Sequence, residues 1–522
     1  MAVNRADDAV SRLRMINAGS ARSEEWMRER VEELKGRVRT MFSVDSVAEA
    51  VTLMDTLERL GVDGHFHEEI DSAISRIVHP DESAGSDDLH VVRVDALDKF
   101  RDGTGNFKAS LSSDPRALLS LYNAAHMAVP GDGPALDDVI DFTRHQLEAI
   151  AAKGELRSPL AEQVARALDH PLPRFTKLLE TMYYVGEYAQ EETHDNTLLE
   201  LARLNSHLMR SLHLRELKTL SLCWRDLYDT VNLPYTRDRM VEVYFWSCGM
   251  IPEEEQSRAR LMFAKTFGLV TFLDDTYDVH ATLEECHSFT EAMQRWDDSA
   301  VSILPEYLGM LYIKTLSNFK DFENMLKPHE KYRMSYAKKK RYVVIYAEYY
   351  MQEAQWSNDK HQPTFKEHEE LLVMSSGLPM LNLVALMGYG AIATKKVFEW
   401  TCAVPDVVRA GAQIGRFLND ISSYKLGKNK KDVASVVECY MVEKGTTGEE
   451  AVAAIAAMTE NSWRTMNQAC MVMDRALLPA AQLVVNIARS NEVIYLRGRD
   501  GYTFGSHVKD LVTMLFLAPI PL

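Results

Sequence analysis

The chain has 522 residues, too many for one ordinary core, so two domains are expected. Its apolar fraction of 46% suffices for globular packing, and 59 Lys plus Arg against 76 Asp plus Glu give a formal charge of −17. That balance argues against a general nucleic-acid or anionic-membrane binder, and an anionic substrate would need metal ions and placed arginines to invert the local field.

The first segment, Met1 to Arg22, carries mixed charges and no apolar signal core, and it is too short to resemble a plastid transit peptide. A cytoplasmic protein is the expectation. From Trp26 to Val38 apolar residues recur three and four apart, predicting an amphipathic helix, and Val51 to Leu60 and Ala161 to Leu168 repeat the pattern. Loops rich in Pro, Gly and Asp punctuate the chain at Pro80 to Asp88, Pro130 to Pro134 and Pro171 to Pro173. No window alternates like strands joined by hairpin turns, and no solenoid period recurs, so the expected fold class is all-α. The run Asp137-Asp138-Val139-Ile140-Asp141 follows Gly131-Asp132-Gly133-Pro134. It therefore belongs to the first turn of a helix, where carboxylates complement the dipole and cap free N–H groups. The polar stretch Glu192 to Asn196 suggests a boundary between a helical domain over 1–194 without chemistry and a domain over 195–522 that carries it.

Tyr235-Thr236-Arg237-Asp238-Arg239 places two arginines around an aspartate, a candidate fork for phosphate oxygens or an ordinary salt-bridged helix start. The apolar run Leu269 to Leu273 ends in Asp274, Asp275 and Asp278. On a helix, positions four apart share a face, so Asp274 and Asp278 are expected to point the same way. Carboxylates at the end of a buried helix are costly without a cation. Oxygen ligands of this kind suit Mg²⁺ or Mn²⁺ bridging to substrate phosphates. The segment Leu371 to Ala393 has no charged residue over 23 positions, but Ser375, Ser376, Gly377, Pro379 and Asn382 mark it as a broken helix in a core rather than a membrane span. Farther on, Asn419, Ser423 and position 427 follow helical i, i+4, i+8 spacing and bring neutral oxygens of the type Mg²⁺ accepts. Tyr495 to Thr503 mixes glycines, arginines and tyrosines like a mobile lid. Six scattered cysteines with no CxxC pair fit a reducing compartment and give no zinc site.

In this order and spacing the chain resembles the plant class I terpene synthases, from about Glu25 to the C-terminus. The resemblance also runs through Val241 to Trp246, Glu353 to Trp356 and Asp500 to Tyr502. It implies two α-helical domains, the first a relic without activity and the second a catalytic bundle, in a monomer. It implies three Mg²⁺ ions that bind a prenyl diphosphate and trigger its ionisation to an allylic cation. By residue-wise match, Asp274 and Asp278 ligate two ions with Asp275 in support, and Asn419 and Ser423 ligate the third. Arg237, Arg239 and Arg416 hold the departing diphosphate. Tyr495, Asp500 and Tyr502 match lid and pocket-wall positions, and Trp246 an aromatic at the pocket floor. Such a cation must meet no water and gains from aromatic faces. The helix break at Ser375 to Pro379 would aim freed carbonyls at it.

Position 427 departs from the family pattern: Gly stands where the motif usually has Glu. A weaker third Mg²⁺ and an altered Mn²⁺ preference are expected, with water or Asp432 as substitutes, and glycine loosens the lid at Gly427 to Lys431. The tandem-arginine motif of monoterpene cyclases and the Asp-x-Asp-Asp signature of proton-initiated cyclases are both absent from the sequence. Family analogy then favours cytosolic farnesyl diphosphate, and a sesquiterpene product, over geranyl diphosphate. A chain-elongating prenyl diphosphate synthase would need a second aspartate-rich motif where Asn419 to Ser423 stands. A non-catalytic helical scaffold would have no reason for metal-ligand spacing on two separate helices.

Overall fold

Side-chain caps mark where the helices begin. Thr282 with Glu285, Thr364 with Glu367, Ser435 with Glu438 and Thr447 with Glu450 form reciprocal capping boxes. Each satisfies two N–H groups that the first helical turn leaves free. The computed structural model describes residues 23–43, 46–78, 99–339, 342–427 and 435–520. The leader up to Arg22, the loop Pro80 to Asp88, and the proposed lid beyond Gly427 with Asp432 lie outside the described residues. Among the described residues there is no strand, only an isolated bridge between Arg101 and Phe107. The fold is all-α.

The helix Glu24–Met41 buries Met27, Val31, Leu34 and Val38, the stripe its spacing predicts. They join Leu57, Phe66, Tyr184 and Leu201 in one core cluster. Asp137 and Asp138 stand in the first turn of the helix Ala135–Ala152, as expected of dipole-complementing carboxylates.

The chain divides into two compact units, one comprising Leu212–Thr513, the other ending at Ser211 and taking in the residues from Met514. The boundary between these units falls inside the continuous helix Asn196–Val231. The polar stretch is a helix start rather than a linker: the Asp195 carboxylate accepts the N–H groups of Thr197 at 2.7 Å and Leu198 at 3.1 Å.

In the unit Leu212–Thr513 the helices that build the site are numbered in chain order: α1 Met240–Met250, α2 Ser257–Asp275, α3 Tyr342–Asp359, α4 Phe365–Ser375, α5 Leu378–Gly388, α6 Asp406–Leu426, α7 Val436–Lys444 and α8 Leu478–Ile494. α2, which ends in the aspartates, is locked by Arg260. This fully buried guanidinium meets both oxygens of Glu216 at 2.9 and 3.0 Å, and Tyr244 donates to the same carboxylate at 2.7 Å. Removing one partner of such a pair strands a buried charge. Glu216→Ala is therefore expected to cost about 3–5 kcal/mol of stability. Chemical denaturation of the variant checks this, and a midpoint matching wild type would contradict it.

The apolar segment is a buried, broken helix. α4 stops at Ser375, Gly377 takes φ +72°, and α5 restarts at Leu378 with every residue buried. Pro379 has no N–H, so the Ser375 carbonyl loses its usual helical donor. Gly388 at the far end lies against the Ala259 backbone with no room for a Cβ, which lets α5 and α2 pack closely.

Candidate active site

α2 ends at Asp275, and Thr276–His280 continues as one π turn, closed by the Ala281 N–H to the Thr276 carbonyl at 2.9 Å. The expected α-helical continuation through Asp278 is thus corrected to a π turn, in which Asp274 is half-buried and Asp278 exposed. Both still act on one pair of phenols. Burial, and Asp274 next, pushes Tyr346 and Tyr350 well above their ordinary range, with Asp278 adding to the effect. Tyr350 donates its hydroxyl to Asp274 at 2.5 Å. Asp275 is buried and turned elsewhere: it accepts the Arg237 backbone N–H at 2.8 Å and its guanidinium at 2.8 Å. Burial raises the Asp275 carboxyl, opposed by the charge of Arg237. Arg237 also pairs with Asp274. Asp275 therefore supports the arginine rather than standing beside Asp274 and Asp278.

Across from these lies α6. Asn419 donates through Nδ2 to the Tyr495 hydroxyl at 3.1 Å, which leaves Oδ1 as its acceptor end. Ser423 Oγ is buried and meets no partner among the described residues. Asp420 is turned the other way, accepting the N–H of Val436 at 2.8 Å and tying α6 to the start of α7. Gly427 is not the third member of the stripe. The helix ends at Leu426, and Gly427 caps it at φ +67°, its N–H returning to the Ser423 and Tyr424 carbonyls. A glycine in this conformation closes a helix without a Cβ penalty, so the position supplies no ligand.

Among the described residues Arg416, one turn before Asn419, has only a long ion-pair contact, to Asp420 at 3.9 Å. Its Nε and that of Arg237 are buried and meet no partner among the described residues. Arg416 lies within electrostatic reach of Asp274 and of Glu353. Glu353, on α3, accepts the Ser375 hydroxyl at 2.7 Å beside the helix break, and burial pushes its carboxyl up against the pull of Arg416. The sequence motifs missed Tyr350 and Glu353 as site residues. The signal was present: Tyr350 and Glu353 stand three apart, on one face of the helix.

An aromatic cluster stands beside Arg237. Trp246 meets Phe267 edge-on at 5.0 Å and Tyr502 at 5.7 Å, and Tyr502 stacks on Phe267 at 5.4 Å. Tyr495 stands 6.4 Å from Trp246. The Tyr502 hydroxyl pairs with Thr271, and the Arg237 guanidinium lies over its ring at 5.3 Å. Asp500 and Arg239 are engaged with backbone groups instead. Asp500 accepts the N–H groups of Tyr502 at 3.0 Å and Thr503 at 2.7 Å, and Arg239 donates to the Tyr502 and Thr503 carbonyls at 2.8 and 2.7 Å. Both hold the loop that carries Tyr502. A separate groove of about 670 Å³, lined by Glu284, His287, Glu291 and Glu348, contains none of these residues.

Among the described residues no three His, Cys, Asp or Glu side chains form a group that could hold a metal alone. The donors present are carboxylates on one wall and an amide and an orphaned buried hydroxyl on the other. These hard oxygens fit a divalent metal completed by a ligand's own oxygens.

The model described as the terpene synthase family metal binding domain matches residues 225–465, and the terpene synthase N-terminal domain matches residues 8–168. The chain is 59% identical over 518 residues to a eudesmanediol synthase of Zea mays, covering 96% of this chain and 92% of that protein. It is 41% identical to a tau-cadinol synthase of Zea mays, covering 96% and 94%. Isoprene synthase from grey poplar leaves (Populus x canescens) matches with a TM-score of 0.85 at 28% identity, covering 95% of this chain and 96% of that one. The same enzyme in complex with three Mg²⁺ ions and dimethylallyl-S-thiolodiphosphate matches with 0.84 at 27%, covering 95% and 97%. The chain belongs to the terpene synthase family, and α2 and α6, with Asp274 and Asn419, lie in its metal-binding domain.

Proposed function

We propose that this chain is a sesquiterpene synthase that uses Mg²⁺, three ions per bound diphosphate, to ionise farnesyl diphosphate. The observation that supports it most is the pair Arg237 and Arg416. Each is a half-buried guanidinium whose Nε is buried and meets no partner among the described residues, each has Asp274 within electrostatic reach, and Arg237 lies over the Tyr502 ring. Such an arrangement suits an anionic head joined to an apolar chain. The relatives' names support the fifteen-carbon class, and the poplar enzyme's complex supports the metal and its number.

Bound metal supplies positive charge that neutralises the departing diphosphate. Asp274 and Asp278 would hold it from one side, Asn419 Oδ1 and Ser423 Oγ from the other. Arg237 and Arg416 bind the diphosphate oxygens. When the allylic C–O bond breaks, its electron pair leaves with the diphosphate, and the cation stays against Trp246, Phe267, Tyr495 and Tyr502. Their faces attract it and their bulk excludes water. Burial pushes the Tyr495 and Tyr502 phenols up, so they remain protonated and do not act as bases near neutral pH. Proton loss or capture of one admitted water ends the reaction. Two relatives carry names of alcohols, which supports water capture here.

Incubating the purified protein with farnesyl diphosphate and Mg²⁺ and analysing the organic layer tests this. C15 hydrocarbons or alcohols are expected, and products from geranyl diphosphate alone would instead indicate a monoterpene synthase. The proposal extends to a cytosolic monomer. Six free thiols support a reducing compartment, and size-exclusion chromatography checks the oligomeric state.

Gly427→Glu restores a carboxylate at the end of α6. A Cβ there meets nothing within 4 Å among the described residues, although the left-handed backbone costs a non-glycine residue about 1–2 kcal/mol. Ligand charge tunes the affinity of such sites, so half-saturating Mg²⁺ is expected to fall about threefold to tenfold. A metal titration of activity checks this, and an unchanged or higher midpoint would contradict it.

A further inference from the structure

The π turn at Thr276–His280 carries Asp278. The Ala281 N–H closes it on the Thr276 carbonyl, and Tyr277, buried within it, meets Thr290 Oγ1 at 2.7 Å. A further hold on its two ends comes from the segment before Arg237. The Tyr235 ring stacks on His280 with centroids 3.9 Å apart and planes 10° from parallel. The Tyr235 hydroxyl meets Thr276 Oγ1 at 3.1 Å, at the other end of the same turn. Tyr307 closes on the second edge of His280, perpendicular at 5.6 Å. Two residues on from Tyr235, the Arg237 backbone N–H holds Asp275. One short segment therefore grips both ends of the turn and its preceding carboxylate.

We propose that Tyr235 and His280 form an aromatic clamp that fixes the π turn and so aims Asp278 for metal-diphosphate binding; Tyr235 is a positioning residue, not a ligand. An α-helical continuation would rotate Asp278 relative to Asp274, and the clamp opposes that relaxation. The face-to-face stack carries more of the grip than the hydroxyl, since Thr276 Oγ1 already bonds the Phe272 carbonyl at 2.6 Å. The inference rests on the metal-dependent function proposed above.

The test is calorimetric binding of Mg²⁺ with inorganic pyrophosphate to the whole protein, without turnover. Tyr235→Leu is expected to weaken binding about tenfold or more, the scale for losing a support behind a metal ligand. Tyr235→Phe keeps the stack and is expected to stay within about threefold of wild type by the same reasoning. Should Tyr235→Leu fail to fold, His280→Ala gives the same information, because His280 is exposed and its truncation spares the core. His280→Phe is expected to restore what His280→Ala loses. Variants Tyr235→Leu or His280→Ala that bind like wild type would overturn the clamp, as would a His280→Phe that restores nothing. A wild-type protein that binds no Mg²⁺-pyrophosphate would overturn the underlying function, and the clamp with it.

Discussion

Asp274→Asn is expected to lower kcat by about a thousandfold or more, the upper range for removing a group that organises charge at a reacting centre. Asp274 is where the contacts converge: it receives Tyr350, pairs with Arg237 and lies within reach of Arg416. The amide keeps the shape but removes the charge. Metal and diphosphate then meet one wall with a single exposed carboxylate, Asp278. Arg237 keeps Asp275 as a partner, so the fold is expected to survive. Steady-state kinetics beside a thermal melt check both halves, and activity within tenfold of wild type would contradict the assignment.

Arg416→Gln is the second large effect. Among the described residues Arg416 reaches Asp420 at 3.9 Å and offsets the buried carboxyl of Glu353, so a thermal melt of the variant accompanies the kinetics. During ionisation it faces the growing negative charge of the leaving group, where preorganised donors act most strongly. The expected loss is about 10²–10³-fold, the scale for one such donor, mostly in kcat rather than KM, because the interaction strengthens in the transition state. Arg416→Lys restores only part, having a point charge without the planar fork. A loss confined to KM would contradict this role.

Much of the architecture was legible in the residues. Helical spacing gave Glu24–Met41 its buried stripe, and Gly-Pro punctuation identified Asp137 and Asp138 as helix-start carboxylates. The broken helix at Ser375 to Pro379 followed from Pro379 lacking an N–H. Other features depend on partners far along the chain. Arg239 looks like a diphosphate ligand from its own neighbourhood, but its guanidinium serves carbonyls 263 and 264 residues away. The π turn leaves no local signature, because Thr276 and Tyr277 suit an α-helix as well. It is settled by Tyr235 and His280 packing across it. At Gly427 the substitution was visible, but its physical meaning is helix termination: a glycine after Lys425 and Leu426 is an ordinary left-handed cap. Asp195 reads as part of a linker and acts as a helix cap.

The most direct measurement is the stoichiometry of one reaction: farnesyl diphosphate consumed, inorganic diphosphate released and C15 product formed, with Mg²⁺ and with no second prenyl substrate. Ionisation at Asp274, Arg237 and Arg416 predicts one diphosphate and one C15 hydrocarbon or alcohol for each substrate consumed, and none of either after chelation of the metal. Farnesyl diphosphate recovered intact in the presence of Mg²⁺, or diphosphate released only when isopentenyl diphosphate is added and longer chains form, would contradict it.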